Sequence, residues 1–211
     1  DRLNSPKTDF GAAYAGDIKY RDLNGDGVIT EQDQRKIGDS NLAEWSYGFF
    51  VGAAYKGFDV KALFTGVANR DYTYADLNIM AFKNEAGNGN EWGGGSVQKY
   101  HWDNRYNPQD PSTWRTAKYP RLSLLGGTHN RLDSDFWQDN GNFLRLKTLE
   151  IGYTLPQRWT RKAKISKARI FYTGYNLLTW HNMRVIDPES QPGVCNYPVQ
   201  KVSSFGLSLQ F

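Results

Sequence analysis

The sequence predicts a mainly β protein built from antiparallel strands, and three observations support this. Residues 203–211 alternate between apolar side chains and small or polar ones. A second alternating run, over residues 44–68, is interrupted by the short turn Lys56-Gly57, as expected of a β-hairpin. Aromatic residues make up 15% of the chain and there are 21 glycines, a composition typical of membrane barrels and of sugar-binding β proteins.

The last strand favours a membrane barrel over a soluble sheet. Its apolar residues fall on one face, which suits a strand with lipid on one side and a wet lumen on the other. The chain stops on Phe211, whereas a soluble terminal strand usually frays or carries solubilising residues. The residues predicted to face lipid are Phe205, Leu207, Leu209 and Phe211. A terminal strand of a soluble β-sandwich is the alternative.

Short turns and long connections alternate along the chain. The predicted segments are a loop (1–43), a hairpin (44–68), a long loop region (69–141), two strands (142–177) around a short turn (156–166), another loop (178–202) and a terminal strand (203–211). Outer-membrane barrels have short turns on the periplasmic side and long loops outside the cell. About five strands cannot close such a barrel, whose bacterial minimum is about eight. The chain is therefore expected to be one part of a larger barrel, or a C-terminal piece of a longer protein.

Residues 22–33 have the ligand spacing of a calcium loop. Hard cations prefer oxygen ligands, and Gly27 stands where such loops turn sharply. The predicted ligands are the side chains of Asp22, Asn24, Asp26 and Asp33, the carbonyl of Val28, and Thr30 through water. A structural calcium ion is therefore expected here. The alternative is an Asn- and Asp-rich turn that holds no ion.

Charge and motif content argue against nucleic-acid binding and catalysis. The net charge is +4, and the basic cluster at residues 158–167 is interpreted as a solvated turn. His101, His129 and His181 share no metal-ligand spacing, and no phosphate-binding or nucleophile motif stands out. An enzyme is not expected.

Seven short motifs follow one another along nearly the whole chain. They are GDIKYRDLNGDG (16–27), YKGFD (55–59), NFLRLK (142–147), GYTLP (152–156), NLLTW (176–180), DPE (187–189) and FGLSLQF (205–211). In these motifs, and in their order, the chain resembles the C-terminal part of the SusC/RagA-type TonB-dependent outer-membrane transporters. The plug domain, the segment that engages TonB and most barrel strands have no counterpart in this sequence.

The resemblance implies a transmembrane barrel of about 22 strands in the intact parent, with long extracellular loops, in the outer membrane of a Gram-negative bacterium. It implies import of oligosaccharides, or of peptides, together with a SusD-like lipoprotein lid. The TonB complex would act through the N-terminal part. The resemblance also implies that the assembly machinery reads the terminal strand, and Phe211 above all.

Aromatic residues of the long loop region are candidates for contact with the lid or for stacking on sugar rings. They are Trp92, Tyr100, Trp102, Tyr106, Trp114 and Trp137. The alternative for each is that it merely folds the loop on itself. A soluble, calcium-stabilised secreted β-domain that binds carbohydrate is the alternative for the whole chain, and a calcium-stabilised secreted hydrolase is a third hypothesis.

Overall fold

The structure, a computed structural model, describes residues 5–74, 81–82, 97–123, 129–190 and 197–211. The chain divides into two compact units. We call one the sheet unit (Asp39–Tyr72, Asp139–Ser190 and Asn196–Phe211) and the other the loop unit (Asp1–Gly38, Thr73–Gln138 and Gln191–Cys195). Within the described ranges, no helix has the length and apolar character needed to cross a membrane.

Strands dominate the described part of the chain. They are β1 (Lys7–Thr8), β2 (Val28–Ile29), β3 (Trp45–Tyr55), β4 (Phe58–Ala68), β5 (Asp71–Thr73), β6 (Gln138–Asn140), β7 (Phe143–Thr154), β8 (Lys167–His181) and β9 (Val202–Gln210). The described residues also form two short α-helices, α1 (Lys99–Asn104) and α2 (Gln157–Thr160). Single 3-10 turns lie at Glu31–Asp33, Pro111–Thr113, His129–Arg131, Asp135–Trp137 and Arg161–Ala163. The prediction of a mainly β, antiparallel chain is confirmed.

The sheet unit contains a five-stranded sheet with the order β3-β4-β7-β8-β9, and every neighbouring pair is antiparallel. β3 and β4 form the predicted hairpin. Lys56 (φ 47°) and Gly57 (φ 89°) both adopt left-handed backbone at its two-residue turn, the conformation that matches the twist of the flanking strands. A side chain at position 57 would come within 2.8 Å of the Thr154 carbonyl oxygen, so glycine is required there.

Strand β8 extends beyond its predicted end at residue 177. It continues to His181, and its last part pairs with β7 through Leu178 opposite Leu146 and Trp180 opposite Leu144. The register between the two strands shifts where β7 passes from Leu146 to Thr148, and Asn176 on β8 has left-handed backbone (φ 53°). The register shift is a β-bulge, which interrupts the alternation of apolar and polar side chains. The strand was therefore predicted to end at residue 177, next to this irregularity.

The register joins the alternating patterns of the separate strands into two faces. Residues paired directly across neighbouring strands point to the same side of a sheet. One row across the apolar face consists of Ala53, Val60, Ile151, Tyr172 and Phe205, and the next of Tyr55, Phe58, Tyr153, Ile170 and Leu207. A row on the opposite face consists of Gly52, Lys61, Glu150, Thr173 and Ser204. Phe205 (84% exposed) and Leu207 (61%) show that the apolar face is open.

Candidate functional site

The polar face of the sheet carries a charged cluster centred on Arg169. Its guanidinium group contacts Asp59 on β4 (Nε to Oδ1, 3.0 Å) and Glu150 on β7 (Nη2 to Oε1, 2.6 Å). Gly152 lies beneath it, where a side chain would meet the guanidinium at 2.3 Å. Lys61 on β4 lies 3.9 Å from the same Glu150 carboxylate, so two cations and two carboxylates balance each other across three strands. Glycine at position 152 leaves the space for their contact.

A second ionic contact attaches the long β8–β9 connection to strand β7. Arg145 is 1% exposed and its Nη2 donates to both carboxylate oxygens of Asp187, at 2.6 and 2.7 Å. Its Nη1 donates to Glu189 at 3.2 Å, and Lys147 donates to the same carboxylate at 3.1 Å. A buried guanidinium is stable only when it is paired in this way.

The side chain of Arg70 binds backbone carbonyl groups of the same segment. Its Nη1 donates to the Pro188 carbonyl (2.7 Å) and its Nη2 to the Ser190 carbonyl (3.1 Å). We refer to Arg70 and Arg145 with residues 187–190 as the arginine clamp. The NFLRLK and DPE motifs, noticed separately in the sequence, are thus two parts of one contact.

The GDIKY motif organises the loop unit around Asp17. The Asp17 carboxylate pairs with Arg121 (2.6 Å) and accepts from the Asn130 amide (2.7 Å) and the Tyr14 backbone N–H (2.7 Å). Gly16 precedes it with left-handed backbone (φ +86°), and a side chain there would collide with the Tyr106 ring at 2.1 Å. The motif therefore has a structural role that the sequence alone did not indicate.

Of two further candidate aromatic residues in the loop unit, one is buried and the other is half-buried. Trp137 is 4% exposed, and its indole N–H donates to the Asn130 carbonyl at 2.8 Å. Tyr100 packs edge-on against Tyr119, with ring centroids 6.0 Å apart. Trp137 therefore belongs to the packed interior of the loop unit, whereas Tyr100 is half-buried and packs against that interior through Tyr119. Trp92 lies outside the described residues.

Three other candidates are accessible. Trp102 is 53% exposed and carries the Arg105 guanidinium 3.6 Å above its ring. Trp114 is 51% exposed and lies near-parallel to Tyr106, with an interplanar angle of 22° and ring centroids 6.4 Å apart. Tyr106 and Trp114 line an open cleft of about 540 Å³ that also includes Lys118 and Asp135. Such a cleft offers an aromatic wall and charges of both signs.

The Asp-rich turn closes on itself through its side chains. Asp22 accepts from the backbone N–H groups of Gly25 (2.6 Å) and Gly27 (2.8 Å), and Asp26 accepts from that of Val28 (2.8 Å). Asp33 accepts from Thr30 and Leu23, at 2.8 and 2.7 Å. The backbone N–H groups, that of Thr30 first, lower the pKa of Asp33 below its usual value, and the Asp22 carboxyl contributes as a further hydrogen-bond partner.

This geometry bears on the expected calcium ion. Within residues 5–74, which contain the whole turn, no three carboxylate or imidazole side chains are arranged as a metal-binding group. Asp22 and Asp33 do approach each other, and each carboxylate retains lone pairs beyond its N–H partners. Thr30 Oγ1 accepts from the Gln32 N–H at 3.1 Å. The donor types fit a hard cation, and calcium at this turn stays a prediction.

His101 gives the loop unit an expected pH dependence. It is fully buried, stacks on Tyr119 at 4.2 Å, and has no hydrogen-bond partner for either ring nitrogen among the described residues. Burial lowers its pKa from 6.5 to about 4. The unfolded chain therefore binds a proton between about pH 6.5 and 4 that the folded chain does not bind, and stability falls as the pH falls through that window, by up to about 3 kcal/mol.

Amide hydrogen exchange in the loop unit at pH 7, 5.5 and 4, corrected for intrinsic exchange rates, measures this effect. We expect protection to fall with pH in the wild type and much less in His101→Phe, which keeps the stacked ring. His181→Phe, at the exposed end of β8, is the matched control and should behave like the wild type. An identical fall in all three proteins would assign the pH dependence to other groups.

No family model matches the chain. Two curated relatives from Formosa agariphila are similar to it: TonB-dependent receptor P26, 29% identical over 210 residues, and TonB-dependent receptor P3, 28% identical over 218 residues. These alignments cover 93% and 95% of this chain.

Solved structures of RagAB also match. The RagAB peptide importer in its open-open state covers 92% of this chain at 24% identity, with a TM-score of 0.58. The closed-closed state covers 90% at 22% identity, with a TM-score of 0.60, and the RagAB peptide transporter covers 87% at 25% identity, with a TM-score of 0.57. The chain spans about one fifth of the length of the relatives and structures that it matches. In sequence and in fold, it therefore corresponds to a segment of a TonB-dependent transporter barrel, as its motifs imply.

Proposed function

We propose that this chain is part of an outer-membrane transporter that imports oligosaccharides or peptides with a SusD-like lipoprotein lid, energised by the TonB complex. The observation that carries the proposal is the sheet with one continuous apolar face and one polar face, in a chain similar to TonB-dependent receptors. One face suits lipid and the other a wet lumen. The similarity to an importer described as RagAB supports transport rather than catalysis.

The loop unit supplies the proposed contacts with the lid or the nutrient. Its described backbone is irregular, and irregular backbone does not face lipid because its polar groups would lack partners. Trp102 with Arg105, and the cleft lined by Tyr106 and Trp114, are its accessible aromatic surfaces. Exposed aromatic and arginine side chains are the residues most often found at binding hot spots.

Alanine substitution of these two tryptophans in the full-length transporter tests the proposal. We expect Trp102→Ala or Trp114→Ala to reduce nutrient uptake or the amount of lid that copurifies by about tenfold, because each removes an aromatic contact. Trp102→Phe and Trp114→Phe keep an aromatic ring and should retain most of the wild-type uptake and lid binding. Loss of lid assigns a residue to the lid contact, and loss of uptake with normal lid assigns it to the nutrient. Wild-type uptake and lid levels in both alanine variants would contradict the proposal.

We also propose that calcium binds the Asp22–Asp33 turn and has a structural role. The support is the ligand spacing and the proximity of the Asp22 and Asp33 carboxylates. Calcium added after chelation should raise the melting temperature of the wild type but not of Asp22→Asn or Asp33→Asn. Asp135→Asn removes an exposed acid elsewhere in the loop unit and should respond like the wild type. If calcium does not raise the melting temperature of the wild type, residues 22–33 form a turn that is closed by its own hydrogen bonds and holds no ion.

A further inference from the structure

A basic turn with an exposed tryptophan joins β7 to β8. Helix α2 and the 3-10 turn Arg161–Ala163 lie in this connection, and Trp159 is 60% exposed. The turn contains five cationic residues and no acidic residue between Pro156 and Ala168. All five are exposed: Arg158, Arg161, Lys162, Lys164 and Lys167.

Hydrogen bonds place this basic turn at one end of the sheet. The Leu155 N–H donates to the Ala168 carbonyl (2.9 Å), and the Ser166 N–H donates to the carbonyl of Gln210 at the end of β9 (2.7 Å). The Thr154 N–H donates to the Gly57 carbonyl in the β3–β4 turn (2.8 Å). The basic turn, the β3–β4 turn and the end of β9 therefore lie side by side, on the short-turn side of the sheet.

Aromatic side chains border the basic turn on the apolar face. Phe58 and Tyr153 pack with ring centroids 4.3 Å apart, next to the exposed Tyr55 in the same row. Lys56 Nζ lies 5.1 Å from the centre of the Tyr55 ring. Rings at the edge of an apolar band with cations just beyond it mark the boundary between a membrane and water.

The cations of the basic turn differ from four arginines elsewhere in the chain. Arg121, Arg145, Arg169 and Arg184 each pair with a carboxylate. Among the described residues, no ion pair is seen for the five cations of the basic turn. Lys167 acts on the Asp59 carboxylate through space, and the positive charge of the other four is directed to the surroundings of the protein.

We propose that the basic turn binds the phosphate groups of anionic phospholipids in the leaflet on the short-turn side of the membrane. Trp159 lies at headgroup depth, and the cations contact lipid phosphates beside the aromatic row. Juxtamembrane lysine and arginine side chains attract anionic lipids in this way. The proposal rests on the placement of the sheet in a membrane barrel, and it goes beyond transport because it concerns the lipid that surrounds the protein.

Lipid retention by the intact transporter tests this proposal. The detergent-purified protein is mixed with equal amounts of phosphatidylglycerol and phosphatidylcholine, and bound lipid is counted by native mass spectrometry. We expect the wild type to retain more phosphatidylglycerol. The triple variant Arg161→Gln, Lys162→Gln, Lys164→Gln should reduce that enrichment by about tenfold or more, because each cation near a lipid surface contributes about fivefold. Bound phosphatidylcholine should not change.

A matched triple variant of exposed cations in the loop unit removes the same charge elsewhere. It consists of Arg35→Gln, Lys36→Gln and Arg115→Gln, and it should retain phosphatidylglycerol like the wild type. Inorganic phosphate at millimolar concentration should not displace the lipid. Equal enrichment in the two triple variants, or displacement by inorganic phosphate alone, would overturn the proposal.

Heat-modifiable mobility on gels shows whether each variant forms a barrel. If the basic-turn triple variant does not, Lys162→Gln and Lys164→Gln alone are read in the same assay, with about a fivefold loss expected for each. Nutrient uptake is measured separately. Unchanged lipid binding in the basic-turn variant would reject the lipid site, whatever its uptake. A wild type that retains phosphatidylglycerol but takes up no nutrient would instead reject the transport function and leave the lipid site intact.

Discussion

Arg145→Met is expected to release Asp187 from strand β7 and to destabilise the sheet unit by about 3 kcal/mol, while Arg70 still binds the Pro188 and Ser190 carbonyls. The substitution leaves Asp187 and Glu189 without their main cation in a half-buried site, and breaking a buried ion pair by removing one partner costs about 3–5 kcal/mol. We place the expected cost at the lower end because both carboxylates retain some contact with water. Chemical unfolding of the full-length transporter in detergent measures the loss, and limited proteolysis should show new cleavage near residue 187.

Lys147→Met is the matched control for the arginine clamp. Lys147 contacts the same Glu189 carboxylate at 3.1 Å, but its side chain is 38% exposed. Exposed ion pairs contribute about 0–1 kcal/mol, so this variant should resemble the wild type. Adding Asp187→Asn to Arg145→Met removes one unpaired charge and should recover part of the lost stability. Equal destabilisation by Arg145→Met and Lys147→Met would mean that the clamp does not depend on the buried guanidinium.

The sheet could be predicted from sequence because its information is local. Side chains alternate with a period of two, so each strand shows its apolar face without knowledge of its neighbours. The hairpin turn at Lys56-Gly57 is equally local, because only its two residues need left-handed backbone. The predicted end of β8 came too early. The left-handed backbone of Asn176 and the register shift between Leu146 and Thr148 of β7 interrupt the alternation of side chains there.

The arginine clamp could not be predicted in this way. Arg145 lies 42 residues from Asp187, and Arg70 lies 118 residues from Pro188. An arginine within a strand ordinarily indicates a polar, solvated face, and nothing local distinguishes the buried Arg145 from an exposed one. Only the pairing of β7 with β8, followed by the return of the chain at residues 182–187, brings these groups together.

The candidate aromatic residues show the same limit in the loop unit. Without sustained alternation, the sequence offers no means to separate Trp137, which is packed inside, from Trp102 and Trp114, which are exposed. The Asp-rich turn is the opposite case, because its side chains bond to backbone N–H groups only two to ten residues away. That spacing predicts the turn. It does not distinguish a calcium site from a turn closed by its own hydrogen bonds, because both use the same residues.

Leu207→Arg is expected to give the largest loss of assembled transporter. Leu207 lies in the apolar row that contains Ile170, Tyr153 and Phe58, and it is 61% exposed on that face. An arginine on the lipid face of a barrel costs about 2–4 kcal/mol at the membrane midplane and about 0–1 kcal/mol near the interfaces. Leu207 shares its row with Tyr55 and Phe58 beside the basic turn, so its cost lies between these two values. The amount of heat-modifiable barrel in the outer membrane should fall relative to the total protein synthesised.

Two serines of the same strand provide controls on the polar face. Ser204 is paired with the neutral Thr173, so Ser204→Arg introduces the same charge without a like-charged neighbour. Ser208 is paired with Arg169, and Ser208→Arg therefore carries a like-charge penalty of up to about 1 kcal/mol. We expect assembly to decrease from Ser204→Arg to Ser208→Arg to Leu207→Arg. Equal assembly of Leu207→Arg and Ser204→Arg would show that the apolar face of β9 does not meet lipid, and a soluble β-domain would then explain the alternation better.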